Sequence, residues 1–561
     1  MVAFNILLVF LSLAGYVYYI QAKKIVSPFS MPLLITSILV VQNYVFGVLG
    51  HLAIGYYFSV FVGLVLLALC IYNKYPIILP TKKYEILILF LCLIPFIFCA
   101  FSIQSDFKCT QWDEFSFWAI STKFIYPNNS LYTADSGIIF KSYPPAQQLL
   151  HYFVVKTLGW KESYILVSQV CFIFFCILSA AGQLIRNKVA ASIAFITLIP
   201  LLSYFNFGLS TVYVDPLLSV YFAATMALCI KTESKIKDIL PCAIFIFTLV
   251  ILKQVGLILA LISILIFLSS RISLSLTKKD FKKIALLGCI LLVSLFLSYK
   301  SWSLYTASIG ASVHINVPGF RDFFTNPLLS RFGETVFNFI DRISNPQYFT
   351  TSMNSHGLSL IALFSIVFCF FAASCLLFKK EKLLPTVLNS SIIISGFAVY
   401  NLFLLFCYLT IFTEYEGRSL ASFYRYSGTY TLSALIVATC VLIDSFEDRF
   451  RNSSIAAAIV IAGIVFPFVP HSFYHEASNI SGSPGGREVR TKVSILSDMI
   501  IKDAKNGDAT SYFISQHSTG FEKYVFNYEI MPHKSLWWCW SIGAKYDESD
   551  VWTCNEDLVK L

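Results

Sequence analysis

Two adjacent carboxylates stand among aromatic residues shortly after an apolar run that is long enough to cross a membrane. Asp113 and Glu114 follow Trp112 in this stretch. Ionisable groups close to a membrane are costly to place and are often functional. A carboxylate in such surroundings can accept the proton of a hydroxyl nucleophile as a general base. An acidic pair on an interfacial loop with an aromatic belt explains the same residues without catalysis, so both interpretations stay open here.

Cationic residues that suit an anionic ligand occur farther along the chain. Lys253, followed by Gln254, stands alone between two apolar runs, and such a lysine suits a phosphate unless it only reaches for the membrane surface. Arg418 and Arg425 lie in a later polar segment, where Tyr426 follows Arg425. Arginine binds phosphate oxygens in a bidentate way, although snorkelling among belt aromatics also accounts for Arg425.

Two proline-containing steps predict helix starts on the same side of the membrane. Tyr143 precedes a pair of prolines, after which we expect an amphipathic helix over 146–157 lying in the outer membrane interface. Asp215 precedes Pro216, and the pair suits an N-cap followed by the first helical residue. Helix initiation alone explains both steps, and only their shared side with the acidic pair suggests a functional role.

The composition indicates a polytopic helical membrane protein. Of the 561 residues, 57% are hydrophobic and 13% are charged, and the mean hydropathy is +0.73, whereas a soluble domain carries about 25% charged residues. The formal charge of +10 does not indicate nucleic-acid binding, because lysine and arginine form short clusters between apolar runs, where they encode membrane topology. The sequence contains no Walker motif, Rossmann glycine pattern or zinc motif.

The apolar runs predict about fourteen spans, since each span needs about 20 apolar residues. The runs cover 2–20, 30–50, 52–71, 86–104, 163–185, 189–203, 213–230, 239–253, 256–270, 284–300, 357–378, 384–410, 427–443 and 455–471. Short basic connections between spans alternate with a second set of connections. The positive-inside rule assigns the basic connections to the cytoplasm. The outer set then comprises 105–162, 204–212, the residues around 254, 301–356, 411–426 and 472–561.

A change to polar composition marks the start of a C-terminal domain at residue 472. We expect a helix over 488–504 and strands over 511–515 and 524–528, which together predict a small extracytoplasmic α/β domain. The predicted domains are N-terminal spans over 1–85, a transmembrane catalytic core over 86–471 with large outer loops at 105–162 and 301–356, and the C-terminal domain over 472–561.

Two of the 15 cysteines, Cys539 and Cys554, lie in this C-terminal domain. Outside the cytoplasm such a pair can form a disulfide, and the sequence leaves open whether it does. Most of the other cysteines lie inside apolar runs, where a thiol behaves as a small hydrophobic group.

Together these motifs resemble those of the GT-C superfamily of polytopic glycosyltransferases that use polyprenyl-phosphate sugars, particularly bacterial members of the family 39 type. The resemblance covers about residues 86–445 and depends on the order and shared side of short motifs. These are Trp112-Asp113-Glu114, Tyr143-Pro144-Pro145, Tyr213-Val214-Asp215-Pro216, Lys253-Gln254-Val255-Gly256 and Arg425-Tyr426. Four predicted spans, at 2–20, 30–50, 52–71 and 86–104, precede Trp112-Asp113-Glu114, where such proteins often have one, so the span numbers do not correspond directly.

The resemblance implies a sugar transfer with inversion and assigns candidate roles to residues. Asp113 would lie near the acceptor hydroxyl as base or orienter, with Glu114 as the alternate. The residues implied to hold the donor phosphate are Lys253, Arg418 and Arg425. Further substrate-binding candidates are Trp112, Tyr143, Asp215, Gln254 and Tyr426. No cofactor is required with certainty, although two neighbouring carboxylates can hold a divalent cation such as Mg²⁺ or Mn²⁺.

The sequence therefore predicts an α-helical polytopic membrane glycosyltransferase with a polyprenyl-phosphate-linked sugar as donor. The acceptor would be a cell-envelope glycan, a lipid-linked glycan or a protein, and the expected location is the bacterial inner membrane with the site facing the periplasm or exterior. Two alternatives stay open. An O-antigen polymerase or ligase also has outer-loop arginines but does not need the acidic pair. A non-enzymatic lipid or glycan transporter would have ionisable residues at mid-membrane and broken helices.

Overall fold

Long apolar helices make up most of the protein in a computed structural model. The structure describes residues 2–76, 83–205, 207–232, 236–272, 278–311, 328–345, 358–450, 453–469, 471–503, 510–536, 539–546, 550 and 552–554. The helices are α1 (Val2–Lys23), α2 (Met31–Val48), α3 (Leu52–Tyr72), α4 (Lys83–Ser102), α5 (Ala119–Asn128), α6 (Ala146–Leu158), α7 (Glu162–Leu184), α8 (Lys188–Leu198), α9 (Val214–Lys231), α10 (Ile236–Leu252), α11 (Gly256–Ile272), α12 (Lys278–Ser308), α13 (Leu328–Ser344), α14 (Leu360–Leu377), α15 (Lys380–Thr410), α16 (Glu414–Ser419), α17 (Phe423–Arg449), α18 (Ser454–Phe468), α19 (His471–Ser478), α20 (Pro484–Asp503) and α21 (Phe521–Ile530). The strands are β1 (Thr510–Ser511), β2 (Ser515–Gln516), β3 (Lys534–Ser535), β4 (Ser541–Ile542) and β5 (Thr553–Cys554).

Within the described residues, 10 helices are long and apolar enough to cross a membrane, namely α1, α2, α3, α4, α7, α9, α12, α14, α15 and α17. Shorter apolar helices accompany them, namely α8, α10, α11 and α18. A helix needs about 20 apolar residues to span the hydrocarbon core. The predicted polytopic helical fold is therefore confirmed, while the exact number of spans stays a prediction.

Helices α7, α9 and α17 form the centre of the bundle and are mostly buried, whereas α1, α3, α4 and α14 expose apolar faces. Exposed apolar faces suit helices that contact lipid. Small polar residues allow the central helices to pack closely; for example, Ser219 on α9 lies 3.2 Å from Ser433 on α17, oxygen to oxygen. The central helices reach both ends of the bundle, so their packing positions the side chains at each end.

The two ends of α17 carry different charge networks. Near its first turn lies Arg425, and at its last turns Asp444 and Asp448 pair with Arg186 at 3.0 and 2.6 Å. Lys382 also pairs with Asp448 at 2.9 Å. Arg186 and Lys382 belong to the basic connections predicted to face the cytoplasm, and the acidic motif lies at the other end of α17.

Helix α6 forms where the sequence predicts a helix after the paired prolines, and its predicted position in the outer membrane interface stays a prediction. Its residues are mostly buried inside the protein, including the polar Gln147, Gln148 and His151. Gln147 donates a hydrogen bond to the backbone carbonyl of Val212, and His151 lies 3.3 Å from the amide oxygen of Gln169. The sequence of α6 is amphipathic, yet the helix is buried, because its polar groups have hydrogen-bond partners inside the protein.

The C-terminal region contains helices and short parallel strands. Helix α20 forms close to the predicted helix over 488–504. The single strand predicted over 511–515 is wrong, because β1 and β2 include only its two end residues and belong to different sheets. The strand predicted over 524–528 is wrong, because these residues belong to α21. Strand β1 pairs with β3, and β4 lies between β2 and β5. Cys539 and Cys554, whose state the sequence left open, form a disulfide.

The helical spacing of its aromatic residues explains α21. Phe521, Tyr524 and Tyr528 recur at intervals of three and four residues and so share one helix face. The rings of Phe521 and Tyr524 contact the Trp112 ring, and the ring of Tyr528 contacts that of Phe115, the residue after the acidic pair. Parts of the predicted outer loop over 301–356, namely residues 312–327 and 346–357, lie outside the described residues, as do parts of the basic connections at 77–82, 233–235 and 273–277.

Candidate functional site

The buried carboxylate of Glu114 fastens the acidic motif to the segment before α9. One carboxylate oxygen accepts the backbone N–H groups of Thr110 and Gln111 at 2.7 and 2.8 Å. The other accepts the Thr211 hydroxyl at 2.9 Å and the Val212 N–H at 3.0 Å. Burial raises the pKa of Glu114, and these four hydrogen bonds oppose the rise. Both oxygens of Glu114 are thus engaged in holding two chain segments together.

Asp113, the neighbour of Glu114, points in a different direction and remains accessible. A π-helical turn over Glu114–Trp118 begins directly after it. The Asp113 side chain is 31% exposed, and its carboxylate lies 2.7 Å from a terminal guanidinium nitrogen of Arg425. Its backbone N–H donates to the Tyr213 hydroxyl at 3.1 Å. The local fold therefore separates the two adjacent acids into one buried anchor and one solvent-accessible carboxylate.

Arg425 joins Asp113 to a second ion pair, and the four residues form what we call the charge cluster: Asp113, Asp215, Lys253 and Arg425. The Arg425 Nε lies 3.3 Å from one Asp215 oxygen. The other Asp215 oxygen lies 2.5 Å from the Lys253 ammonium. The cluster thus alternates two carboxylates with two cations that come from four separate parts of the chain.

Asp215 takes part in this cluster instead of capping α9, so its predicted N-cap role is wrong. Helix α9 begins at Val214 with Tyr213 in the N-cap position, and Asp215 lies in the first turn. Its side chain is 2% exposed, and a buried carboxylate requires partners. Lys253 and Arg425 supply them, which explains why this carboxylate turns away from the helix end.

Tyrosine rings surround the cations of the charge cluster. The Arg425 guanidinium lies 4.6 Å from the ring centre of Tyr213 and 5.4 Å from that of Tyr426. The Lys253 ammonium lies 4.6 Å from the Tyr426 ring centre, at distances where cation–π attraction operates. Burial raises the pKa of Tyr143, and the nearby Asp113 and Asp215 carboxylates add to the rise. Its phenol therefore stays protonated and can act as a hydrogen-bond donor.

Three other residues predicted from the sequence make contacts of different kinds. Trp112 stacks on Phe521 of α21 with ring centres 5.5 Å apart. The Gln254 side-chain amide donates to the Ser142 carbonyl at 3.1 Å. Arg418 pairs with Glu414 at 2.6 Å and with Glu334 at 3.6 Å. The structure thus gathers Asp113, Tyr143, Asp215, Lys253, Arg425 and Tyr426, and it engages Trp112, Gln254 and Arg418 elsewhere.

A cavity of about 350 Å³ adjoins the charge cluster, and its lining includes Arg425 of the cluster and Tyr213, whose ring contacts Arg425. Its other lining residues are Gln111, Gly208, Ser210, Thr211, Arg342, Ser422, Phe423, Tyr424 and Glu476. Arg342 and Glu476 are not predicted from the sequence, because no local pattern distinguishes them from the polar residues around them. Only the packing of α13 and α19 brings them to the cavity.

The C-terminal region also contacts the acidic motif directly. The guanidinium of Arg490 on α20 donates to the Cys109 carbonyl at 2.8 Å and to both Glu162 carboxylate oxygens at 2.7 and 2.6 Å. It also pairs with Glu529 of α21. The side chain is 8% exposed and lies against the ring of Phe115. Residues 109–115 are therefore held from inside by Glu114 and from the C-terminal side by Arg490.

The described residues contain no group of three or more His, Cys, Asp or Glu side chains arranged to hold a metal ion. In the charge cluster, Arg425 bridges the two carboxylates of Asp113 and Asp215. A divalent cation at Asp113 therefore stays a prediction from the sequence.

No protein-family model matches the chain, and no curated protein matches it. Among solved structures, the chain is similar to an oligosaccharyltransferase from Archaeoglobus fulgidus in complex with Zn and sulfate, at 12% identity and a TM-score of 0.47 over 79% of this chain and 62% of that chain. It is also similar to ArnT from Cupriavidus metallidurans bound to undecaprenyl phosphate, at 11% identity and a TM-score of 0.40 over 83% of this chain and 86% of that chain.

The match spans less than two thirds of the length of the Archaeoglobus chain. Because both TM-scores are below 0.5, no function is inferred from this likeness, and the function proposed below rests on the residues of this chain.

Proposed function

We propose that the chain is an integral membrane glycosyltransferase that moves a sugar from a polyprenyl-phosphate carrier to an acceptor hydroxyl. The observation that carries the proposal is the pairing of the accessible carboxylate of Asp113 with Arg425 at 2.7 Å, next to a second cation, Lys253. A base for the acceptor and cations for a leaving phosphate are the two groups that this transfer needs.

In the proposed reaction, Asp113 acts on the acceptor. The acceptor oxygen forms a bond to the anomeric carbon from the face opposite the phosphate, and its proton passes to the Asp113 carboxylate. The bond between the anomeric carbon and the phosphate oxygen breaks, and its electron pair stays on that oxygen. The sugar is transferred with inversion, and the products are the glycosylated acceptor and the polyprenyl phosphate.

Arg425 and Lys253 are proposed to bind the phosphate throughout this reaction. Without a ligand, they balance the charges of Asp113 and Asp215. As the sugar leaves, the phosphate gains negative charge, and cations held in a water-poor site stabilise such charge strongly. Tyr143, protonated beside the cluster, is proposed as a neutral hydrogen-bond donor to the same group. We assign Glu114 a positioning role, because both of its oxygens hold the loop.

We propose that the charge cluster faces the extracytoplasmic side of a bacterial inner membrane. Arg186 and Lys382, which the positive-inside rule assigns to the cytoplasm, lie at the opposite end of α17. A site on the outer face would suit a cell-envelope glycan, a lipid-linked glycan or a protein as acceptor.

The test uses the purified full chain in lipid nanodiscs with an undecaprenyl-phosphate-linked hexose and a cell-envelope glycan acceptor. Asp113→Asn should lower turnover by about 10²- to 10⁴-fold and leave donor affinity nearly unchanged. Arg425→Ala and Lys253→Ala should each weaken donor binding by about 10- to 100-fold, as expected for the loss of a charged hydrogen bond. Lys492→Ala, at a side chain that is 73% exposed on α20, is the matched control.

Turnover at the wild-type level in Asp113→Asn would reject Asp113 as the base and favour a polymerase or ligase that does not need it. Donor affinity that is unchanged in both Arg425→Ala and Lys253→Ala would reject the phosphate site.

A further inference from the structure

An incompletely paired carboxylate lines the cavity beside the charge cluster. Glu476 on α19 accepts a hydrogen bond from the Ser210 hydroxyl at one oxygen, Oε1. The other oxygen, Oε2, is buried and receives no hydrogen bond from the described residues. A buried polar atom without a partner costs free energy, so its retention points to a ligand that supplies the missing donor.

The chain makes room for this carboxylate at Gly208. A Cβ atom at position 208 would lie 2.8 Å from Glu476 Oε1, which is closer than real Cβ contacts. The segment from Gly208 to Ser210 therefore accommodates Glu476 by lacking a side chain at one residue and bonds it by a hydroxyl two residues later. The position of Glu476 thus depends on two features of another part of the chain.

The other groups around the cavity fit sugar hydroxyls. Arg342 and Arg425 provide guanidinium donors, and Gln111 provides an amide that can donate and accept. Sugar hydroxyls both donate and accept, so they match a wall that mixes these groups with a carboxylate. Among the lining residues, two guanidinium groups face one carboxylate, and this positive balance disfavours a positively charged sugar. The volume of about 350 Å³ lies at the small end of ligand pockets, which run from about 300 to 1,000 Å³, and suits a monosaccharide.

We propose that this cavity is the donor-sugar subsite and takes a neutral, hydroxyl-rich monosaccharide, with Glu476 accepting a hydrogen bond from a sugar hydroxyl. This inference rests on the proposed function, because Arg425, the residue proposed to hold the phosphate, also lines the cavity. The sugar of the donor is bonded directly to that phosphate, so it should lie in a cavity that shares Arg425 with the phosphate site. Glu476 is then a specificity-determining residue supplied by the C-terminal part of the chain.

The experiment measures lipid binding by the full chain in nanodiscs without acceptor, so that effects on the acceptor cannot contribute. The probes are undecaprenyl phosphate, the same lipid carrying a neutral hexose, and the same lipid carrying an amino sugar. We expect wild-type protein to bind the hexose lipid more tightly than either of the others. Glu476→Gln should weaken binding of the hexose lipid by about 10- to 100-fold and leave the affinity for undecaprenyl phosphate unchanged.

Two further variants and one control sharpen this test. Gly208→Ala should produce the same selective loss, because the added methyl group displaces Glu476. Ser210→Ala, which removes the hydroxyl that holds Glu476, serves if either variant fails to fold, as judged by its thermal midpoint. The control is Glu488→Gln on α20, at a side chain that is 69% exposed, and it should bind all three lipids as wild type does.

Three results would overturn the subsite. If the variants leave the ratio of hexose-lipid to undecaprenyl-phosphate affinity unchanged while wild type transfers sugar, the subsite is wrong and the proposed function stands. If Glu476→Gln weakens binding of undecaprenyl phosphate equally, Glu476 does not act on the sugar. If wild-type protein binds none of the three lipids, the subsite and the proposed function both fail.

Discussion

Asp113 and Glu114 are neighbours of the same chemical type with opposite surroundings. The Glu114 carboxylate is completely buried and accepts four hydrogen bonds, while Asp113 is 31% exposed beside Arg425. The sequence predicts an acidic pair but cannot distinguish its members, because two of the groups that hold Glu114, Thr211 and Val212, lie about a hundred residues farther along the chain. The choice between the two acids is therefore a tertiary property.

Because Glu114 is an anchor, we expect Glu114→Gln to act mainly on stability. A glutamine amide would present N–H groups to two of the four donors that the carboxylate now accepts, which leaves those buried donors unpaired. The expected loss is about 2–6 kcal/mol, at about 1–3 kcal/mol for each of the two unpaired buried groups, measured as a lower thermal midpoint in detergent. Asp106→Asn, at a side chain on the same loop that is 66% exposed and 3.7 Å from Arg487, should change the midpoint little.

This substitution also separates the two roles of the acidic pair. Asp113→Asn should lose turnover at a nearly unchanged thermal midpoint, whereas Glu114→Gln should lose stability and turnover together. A stable Glu114→Gln protein without turnover would show that Glu114 takes part in the chemistry.

At the scale of elements, α20 and α21 hold the acidic motif from the C-terminal side. Arg490 of α20 bridges Glu162 at the start of α7 and Glu529 of α21, and it binds the Cys109 carbonyl at 2.8 Å. Trp112 stacks on α21. The C-terminal region is thus continuous with the site, and we expect it to position Asp113.

We expect Arg490→Met to loosen this contact strongly. Removing one member of a buried ion pair leaves an uncompensated charge and costs about 3–5 kcal/mol. The variant should show a lower thermal midpoint, faster proteolysis between α18 and α21, and reduced turnover. The double variant Arg490→Met with Glu162→Gln should recover part of the stability, because it no longer buries an unpaired Glu162 carboxylate.

The control for this prediction lies two residues away on the same helix. Lys492→Met removes an exposed lysine whose partner is Glu488, and an exposed pair is worth about 0–1 kcal/mol. If Arg490→Met and Lys492→Met behave alike, the proposed contact between α20 and the acidic motif does not stabilise the site.

The sequence predicts a helix or strand correctly where its apolar residues follow a single period. The apolar runs predicted the long helices, and α6 and α20 form close to where they were expected. The strand predicted over 524–528 is wrong because alternate residues and one helix face are both aromatic or apolar there. The contacts of Trp112 and Phe115 lie along the helix face. For a related reason, Asp215 is not the cap that the sequence predicts, since its partners lie elsewhere along the chain. Lys253 is in the connection between α10 and α11, and Arg425 is on α17.

At the scale of the whole molecule, charge separates along the bundle. Helix α17 has 27 residues and at 1.5 Å per residue measures about 40 Å. It joins the charge cluster near its start to Asp444 and Asp448 near its end. Composition predicts the helical membrane fold because the bilayer demands long apolar helices with internally bonded backbones. It does not predict the cavity, because Arg342 and Glu476 carry no local pattern and depend on packing.

The orientation of this bundle can be tested by labelling introduced cysteines in intact cells. Glu488→Cys is at an exposed position on α20, at the same end of the bundle as the charge cluster. Lys380→Cys is at the exposed start of α15, at the opposite end of the bundle. A membrane-impermeant maleimide should label Glu488→Cys from outside and should label Lys380→Cys only after the membrane is disrupted, because basic connections stay in the cytoplasm. The unmodified protein is the blank for exposed native thiols such as Cys289 and Cys369. The reverse pattern would put the charge cluster on the cytoplasmic face, and the donor would then have to be a lipid whose sugar faces the cytoplasm.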